Sequence, residues 1–183
     1  MYLVVGANGQ LGSELKDILK EKGMYVDKDE LDITNSDAVV NFFNKNKNIN
    51  AIINCAAYTA VDKAENDIEL ATKINVEGPK NLAKVGLPII QTSTDYVFDG
   101  EKNTPYTEND KTNPKSVYGK TKLAGEEEVL KNAKTAVVIR TAWLYSSHGN
   151  NFVKTMIRLG KEKESLNVVF DQVGTPTYAK DLA

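Results

Sequence analysis

The chain has 183 residues, 41% of them hydrophobic and 26% charged, which suits one globular domain with a sizeable core and excludes a disordered segment. Its 25 acidic and 23 basic residues are spread along the chain and leave a net charge of −2, so no electropositive face for nucleic acid or anionic lipid is expected. One cysteine and one histidine exclude an intramolecular disulfide and a Cys/His metal cluster, and with no long apolar run or basic leader the expectation is a cytoplasmic protein without metal or membrane span.

Short β-branched runs alternate with amphipathic stretches. The pattern predicts βαβ units in an α/β fold: a doubly wound, mostly parallel sheet with helices on both faces. The first strand, Tyr2 to Val5, enters Gly6-Ala-Asn-Gly9-Gln-Leu-Gly12 and then a helix over Gln10 to Lys22 with Leu11, Leu15, Ile18 and Leu19 facing a core. A glycine turn between a strand and a helix suits a dinucleotide. Gly6 permits the turn, Gly9 lets backbone approach a pyrophosphate, and Gly12 lets the helix pack closely while its first amides face the phosphate. The second strand, Met24 to Val26, ends at Asp27, which is placed for a ribose hydroxyl, whereas the adjacent Lys28 suits a 2′-phosphate. NAD and NADP both stay open. Asp32 and Ile33 fit either an adenine edge or a turn.

Ser36 is expected to cap a helix reaching Asn46, with Val39, Val40, Phe42 and Phe43 as its apolar stripe. The third strand, Ala51 to Asn54, leads into Cys55, Ala56, Ala57 and Tyr58, where small residues leave room for a ligand; Cys55 reads as a buried filler. A helix over Asp67 to Lys84 and a strand over Leu87 to Thr92 follow. Asp99 to Pro114 reads as a long surface loop of the kind that helps cover a site. A helix over Ser116 to Asn132 carries Glu126 to Glu128 as a solvated face. Then come a strand over Thr135 to Thr141, a helix over Asn151 to Lys161 and a sixth strand, Leu166 to Phe170.

Three groups suit carbonyl reduction. Tyr118 and Lys122, four apart on a helix, share one face, and the ammonium is expected to lower the phenol's pKa. Thr94, ending the fourth strand, can donate to a carbonyl oxygen as charge develops there. Asp95 and Tyr96 would point into the same crevice, and Trp143 reads equally as a flat wall for a sugar ring or as core.

These residues resemble the dTDP-4-dehydrorhamnose reductase family of the extended short-chain dehydrogenase/reductase superfamily. The matching stretches include Gly6 to Gly12, Leu31 to Thr34, Asn54 to Glu65, Ser93 to Gly100, Val117 to Glu126, Gly149 to Met156 and Asp171 to Thr177. The resemblance implies hydride transfer from NADH or NADPH to C4 of dTDP-4-dehydro-L-rhamnose, giving dTDP-L-rhamnose for surface polysaccharide. Catalysis would fall to Tyr118, Lys122 and Thr94. Gly6, Gly9, Gln10, Leu11, Gly12, Asp27, Asp32, Ile33, Ala56, Ala57, Tyr58, Thr92, Tyr118 and Lys122 would hold the cofactor. Thr94, Asp95 and Trp143 would hold the nucleotide sugar, and a homodimer is among the assemblies it allows. Family members continue past Ala183, so residues 1–183 are expected to form the dinucleotide-binding domain, with 171–183 leading toward a C-terminal substrate lobe. Other readings are a non-catalytic regulatory subunit, similar to the β subunit of methionine adenosyltransferase, and a nucleotide-sugar epimerase or dehydratase. Dehydratases resemble Thr-Asp-Glu where this chain has Thr94-Asp95-Tyr96.

Overall fold

A computed structural model describes all 183 residues. Five strands form one parallel sheet in the order β2-β1-β3-β4-β5: β1 (Tyr2–Val5), β2 (Gly23–Val26), β3 (Ala51–Asn54), β4 (Ile89–Thr94) and β5 (Ala136–Thr141). Register is continuous: Tyr2 pairs with both Gly23 and Ala51, Ile89 with both Ile52 and Ala136. Side chains alternate across the sheet, so successive residues feed separate cores. Leu3, Val5, Ile52 and Ile89 meet Val39 and Phe43 of α2 (Ser36–Lys45), Leu82 of α5 (Gly78–Ala83) and Val129 of α6 (Val117–Asn132). Val4 and Ile53 face the other way, onto Leu11 and Leu15 of α1 (Gln10–Leu19) and Leu182 of α8 (Ala179–Leu182). Helices therefore cover both faces, as the alternation predicts. No helix is long and apolar enough to cross a membrane.

Local chemistry sets the helix ends, with some corrections. Asn35, rather than Ser36, caps α2, its carbonyl accepting from the amides of Asp37 and Ala38 at 3.0 Å. Ser116 caps α6 through the Gly119 amide. Ile18, expected in the core, is 45% exposed, whereas Leu11, Leu15 and Leu19 pack there as expected. The helix expected over Asp67 to Lys84 is interrupted: α4 (Ile68–Thr72) passes into a wide π turn, Lys73–Glu77, before α5. Pro79 accounts for the break, because it has no amide to offer the Asn75 carbonyl and its ring crowds that carbonyl. A short helix, α3 (Val61–Ala64), precedes them.

The sixth strand does not form. Leu166 to Phe170 is unpaired chain with Phe170 98% exposed, since β-branched composition makes no strand without a partner and a face to bury. Instead β6 (Leu144–Tyr145) pairs in parallel with β7 (Thr177–Tyr178), and Tyr145 stacks on Tyr178. Glu126, expected in solvent, is buried, and its carboxylate takes the Arg140 guanidinium through bonds of 2.6, 3.1 and 3.2 Å.

Candidate active site

The chain leaves β1 for β2 on one side and returns for β3 on the other. That reversal opens a crevice beyond the strands' C-terminal ends, where open α/β sheets bind ligands. Gly6 closes its floor: φ is +77°, and a Cβ there would lie 2.6 Å from the Ala56 amide. Gly12 sits against the same turn, where a Cβ would meet the Gly6 carbonyl at 2.3 Å. Both neighbours are backbone, which cannot rotate aside. Gly12→Ala should therefore lower unfolding stability by about 1–3 kcal/mol, as overpacking does, and an unchanged thermal midpoint would refute this. Gly9 begins α1 with no side-chain cap, so the helix's first amides remain for an anion.

A cleft of about 1020 Å³ extends from this turn, lined by the glycine turn, Gln10, Leu11, Asp27, Asp32, Ile33, Ala56, Ala57, Thr92, Thr94, Asp95, Tyr118, Lys122 and Trp143. Tyr58 lies outside it. Asn75 in the π turn holds that residue's backbone, accepting from its amide at 2.8 Å, and the phenol donates to Asp67. The 99–114 loop contributes nothing to the lining, so it is no cover for this cleft. Asp27 accepts from the Asn8 and Lys28 amides. Asp32 lines the cleft and also makes the turn, accepting from the amide and hydroxyl of Thr34, and the hydroxyl bond is the main cause that lowers its pKa. Asn151 ties the 149–151 segment to the glycine turn through Gln10 at 3.0 Å.

At the reactive end, Tyr118 and Lys122 are both buried. The Lys122 ammonium donates to the Thr92 carbonyl at 2.7 Å; burial lowers its pKa to about 8, against the opposing charge of Glu126. The Tyr118 phenol is raised above its ordinary value by burial, while hydrogen bonding to Thr94 lowers it and the charge of Asp95 raises it. This reverses the expected depression, because the ammonium is engaged by a carbonyl and burial dominates. Burial also raises the Asp95 carboxyl and lifts the Cys55 thiol to about 12, leaving Cys55 a filler. Thr94 donates to Asp95 at 3.0 Å and receives the Tyr96 amide. The Ser93 and Thr141 hydroxyls, beside it on β4 and β5, are buried with no partner.

Trp143 follows β5 with φ +49°, a conformation costing a non-glycine residue about 1–2 kcal/mol. Its side chain is 45% exposed on the cleft rather than in the core. The supporting polar groups were not evident from sequence: Asn54 donates to Gln91, Gln91 donates to the Thr92 carbonyl that also takes Lys122, and Asn75 donates to Thr121. On α1, Glu14 takes the Ser146 hydroxyl at 2.6 Å and Asp17 lies 3.1 Å from the His148 ring, tying down the loop after β6.

A glycine turn, a hydroxyl, a phenol and an ammonium thus share one cleft. The family model described as RmlD substrate binding domain matches residues 1–183. The chain belongs to this family. It is 46% identical over 189 residues to a dTDP-4-dehydrorhamnose reductase from Aggregatibacter actinomycetemcomitans, covering 99% of this chain and 64% of that protein. A crystal structure of a dTDP-4-dehydrorhamnose reductase from Clostridium acetobutylicum superposes with a TM-score of 0.95 at 56% identity, covering 99% of this chain and 66% of that one. A dTDP-4-dehydrorhamnose reductase from Bacillus anthracis, solved in complex with NADP, gives 0.94 at 45% identity over the same shares. This RmlD-family chain therefore spans just under two-thirds of the length of these relatives.

Proposed function

We propose that the chain carries the cofactor site and catalytic groups of an NADH- or NADPH-dependent reductase acting on the C4 ketone of dTDP-4-dehydro-L-rhamnose, giving dTDP-L-rhamnose for surface polysaccharide. The observation that carries this reading is the convergence of Thr94, Tyr118 and Lys122 with the glycine turn in one cleft. Reductases of that name match nearly the whole chain, one of them solved with NADP.

The residues present fit a dinucleotide: Gly6 and Gly12 bring α1 against the floor with no room for a Cβ, and its uncapped amides suit a pyrophosphate. Asp27 and Lys28 stand where a ribose hydroxyl or 2′-phosphate is met, and Asp32, Ile33, Ala56, Ala57 and Thr92 line the same cleft. Bound there, a reduced nicotinamide supplies the hydride. The chain's own groups manage the proton. Tyr118 keeps its phenol protonated, since burial disfavours the phenolate, and is the donor to the ketone oxygen. Thr94, turning its one hydroxyl proton from Asp95, donates a hydrogen bond to that oxygen as charge grows. Lys122, held by the Thr92 carbonyl, fixes a positive charge beneath the site. Asp95 and Trp143 form the sugar side. The test is to give the purified protein the 4-keto nucleotide sugar and NAD(P)H. Loss of NAD(P)H absorbance with formation of dTDP-L-rhamnose is expected, and no oxidation above background would sink the reading.

A further inference from the structure

The indole of Trp143 lies against a residue that neither the catalytic groups nor the cofactor site includes. A Cβ on Gly174 would lie 2.9 Å from Cε2 of the indole, 3.1 Å from Nε1 and 3.3 Å from Cζ2. The segment before β7 therefore lies directly on the ring. It is anchored there: the Thr177 amide donates to the Trp143 carbonyl at 3.2 Å, and Leu144 pairs with Thr177 in the small sheet. Gly174 does not have the left-handed backbone of Gly6 or Gly149, so its lack of a side chain serves the ring contact rather than the chain's conformation. Trp143 itself does have left-handed backbone, which turns its side chain onto the cleft.

We infer that Gly174 is a positioning residue, which sets the indole of Trp143 as a wall of the cleft and thereby sets affinity for the sugar end of the substrate. This deepens the proposed reductase reading and rests on it for the identity of the sugar. An alanine methyl at 174 has to displace the ring, because the atoms it meets belong to a side chain that can move. The effect then falls on the nucleotide sugar and spares the cofactor, whose phosphates are assigned to Gly6 to Gly12, because the added methyl meets only atoms of the indole.

Trp143 is the only tryptophan of the chain, so its emission reports the contact without any ligand. Gly174→Ala is expected to shift the emission spectrum, to raise the Kd for dTDP-L-rhamnose by roughly 2- to 12-fold, the worth of one aromatic contact, and to leave the Kd for NADPH unchanged. In a Trp143→Ala background the same substitution should cost no further sugar affinity. Unchanged emission, unchanged sugar affinity, a parallel loss of NADPH binding, or full additivity with Trp143→Ala each overturns the inference. If Gly174→Ala alone does not fold, recovery of folding in the Trp143→Ala double variant supports the contact, and failure of both overturns it. Failure of the parent protein to bind dTDP-L-rhamnose would instead sink the reductase reading, with the emission result still deciding whether Gly174 sets the ring.

Discussion

Tyr118→Phe is expected to reduce turnover by about 10²–10⁴-fold, the usual contribution of a positioned proton donor, while NADPH affinity is nearly retained. The expectation follows from what the substitution removes. The ring stays, with its edge-to-face contact to Tyr96 at 5.5 Å between centroids, and only the hydroxyl beside Thr94 is lost. The parent protein's pH profile gives a second check. Tyr118 is raised above its usual value, so the phenol stays protonated through neutral pH, whereas the buried Lys122 ammonium loses its proton at about 8. The alkaline decline in kcat/KM should therefore begin near pH 8 and report Lys122. Steady-state kinetics on both proteins decides it: a Phe variant within a few-fold of the parent would remove Tyr118 as the donor.

Glu126→Ala should destabilise the fold by about 3 kcal/mol, the low end for breaking a buried ion pair, because Arg140 keeps a quarter of its side chain exposed. For a chain of this size that lowers the melting midpoint by roughly 6–12 °C. The alanine leaves a guanidinium held between Phe98, 5.1 Å away, and the buried face of α6 with no counter-charge. Replacing both partners, as Glu126→Leu with Arg140→Met, should restore most of the loss, since it is the unmatched charge that is costly. The same change reaches the site. Glu126 supports the charge on Lys122, so its removal lowers the Lys122 pKa further and moves the alkaline decline to lower pH. Thermal unfolding of the single and double variants, with a pH profile of the single, checks both parts; a single variant as stable as the parent would refute the first.

What could be read from sequence were features whose chemistry demands particular residues at short range. Gly6, Gly9 and Gly12 span one turn, Tyr118 and Lys122 span one helical turn, and Thr94 ends a strand. Partners distant along the chain were invisible. Asn75, Gln91 and Asn54 are polar residues with nothing at short range to mark their partners, yet each is buried and bonded across the fold. Glu126 is hidden for the same reason: in a run of three glutamates nothing marks the one that faces Arg140. Tyr58 follows two cleft-lining alanines, yet Asn75 of the distant π turn takes its amide and it lies outside the cleft lining. Leu166 to Phe170 had the composition of a strand and lacked a neighbour, which composition cannot reveal.

The all-parallel ladder also bears on how the protein reaches its working form. No strand of the main sheet can zip onto the next through a tight hairpin; Tyr2 must find Ala51, and Ile89 must find Ala136, before any pairing repays the closure of the intervening chain. Assembly should be slow and strongly cooperative. The Thr92 carbonyl that holds Lys122 lies on β4, whose two edges are completed by β3 and β5, so a sheet lacking either strand would not present the ammonium correctly. Refolding followed by activity and by backbone signals should then show catalytic competence arriving only with the final phase, with no partly active intermediate.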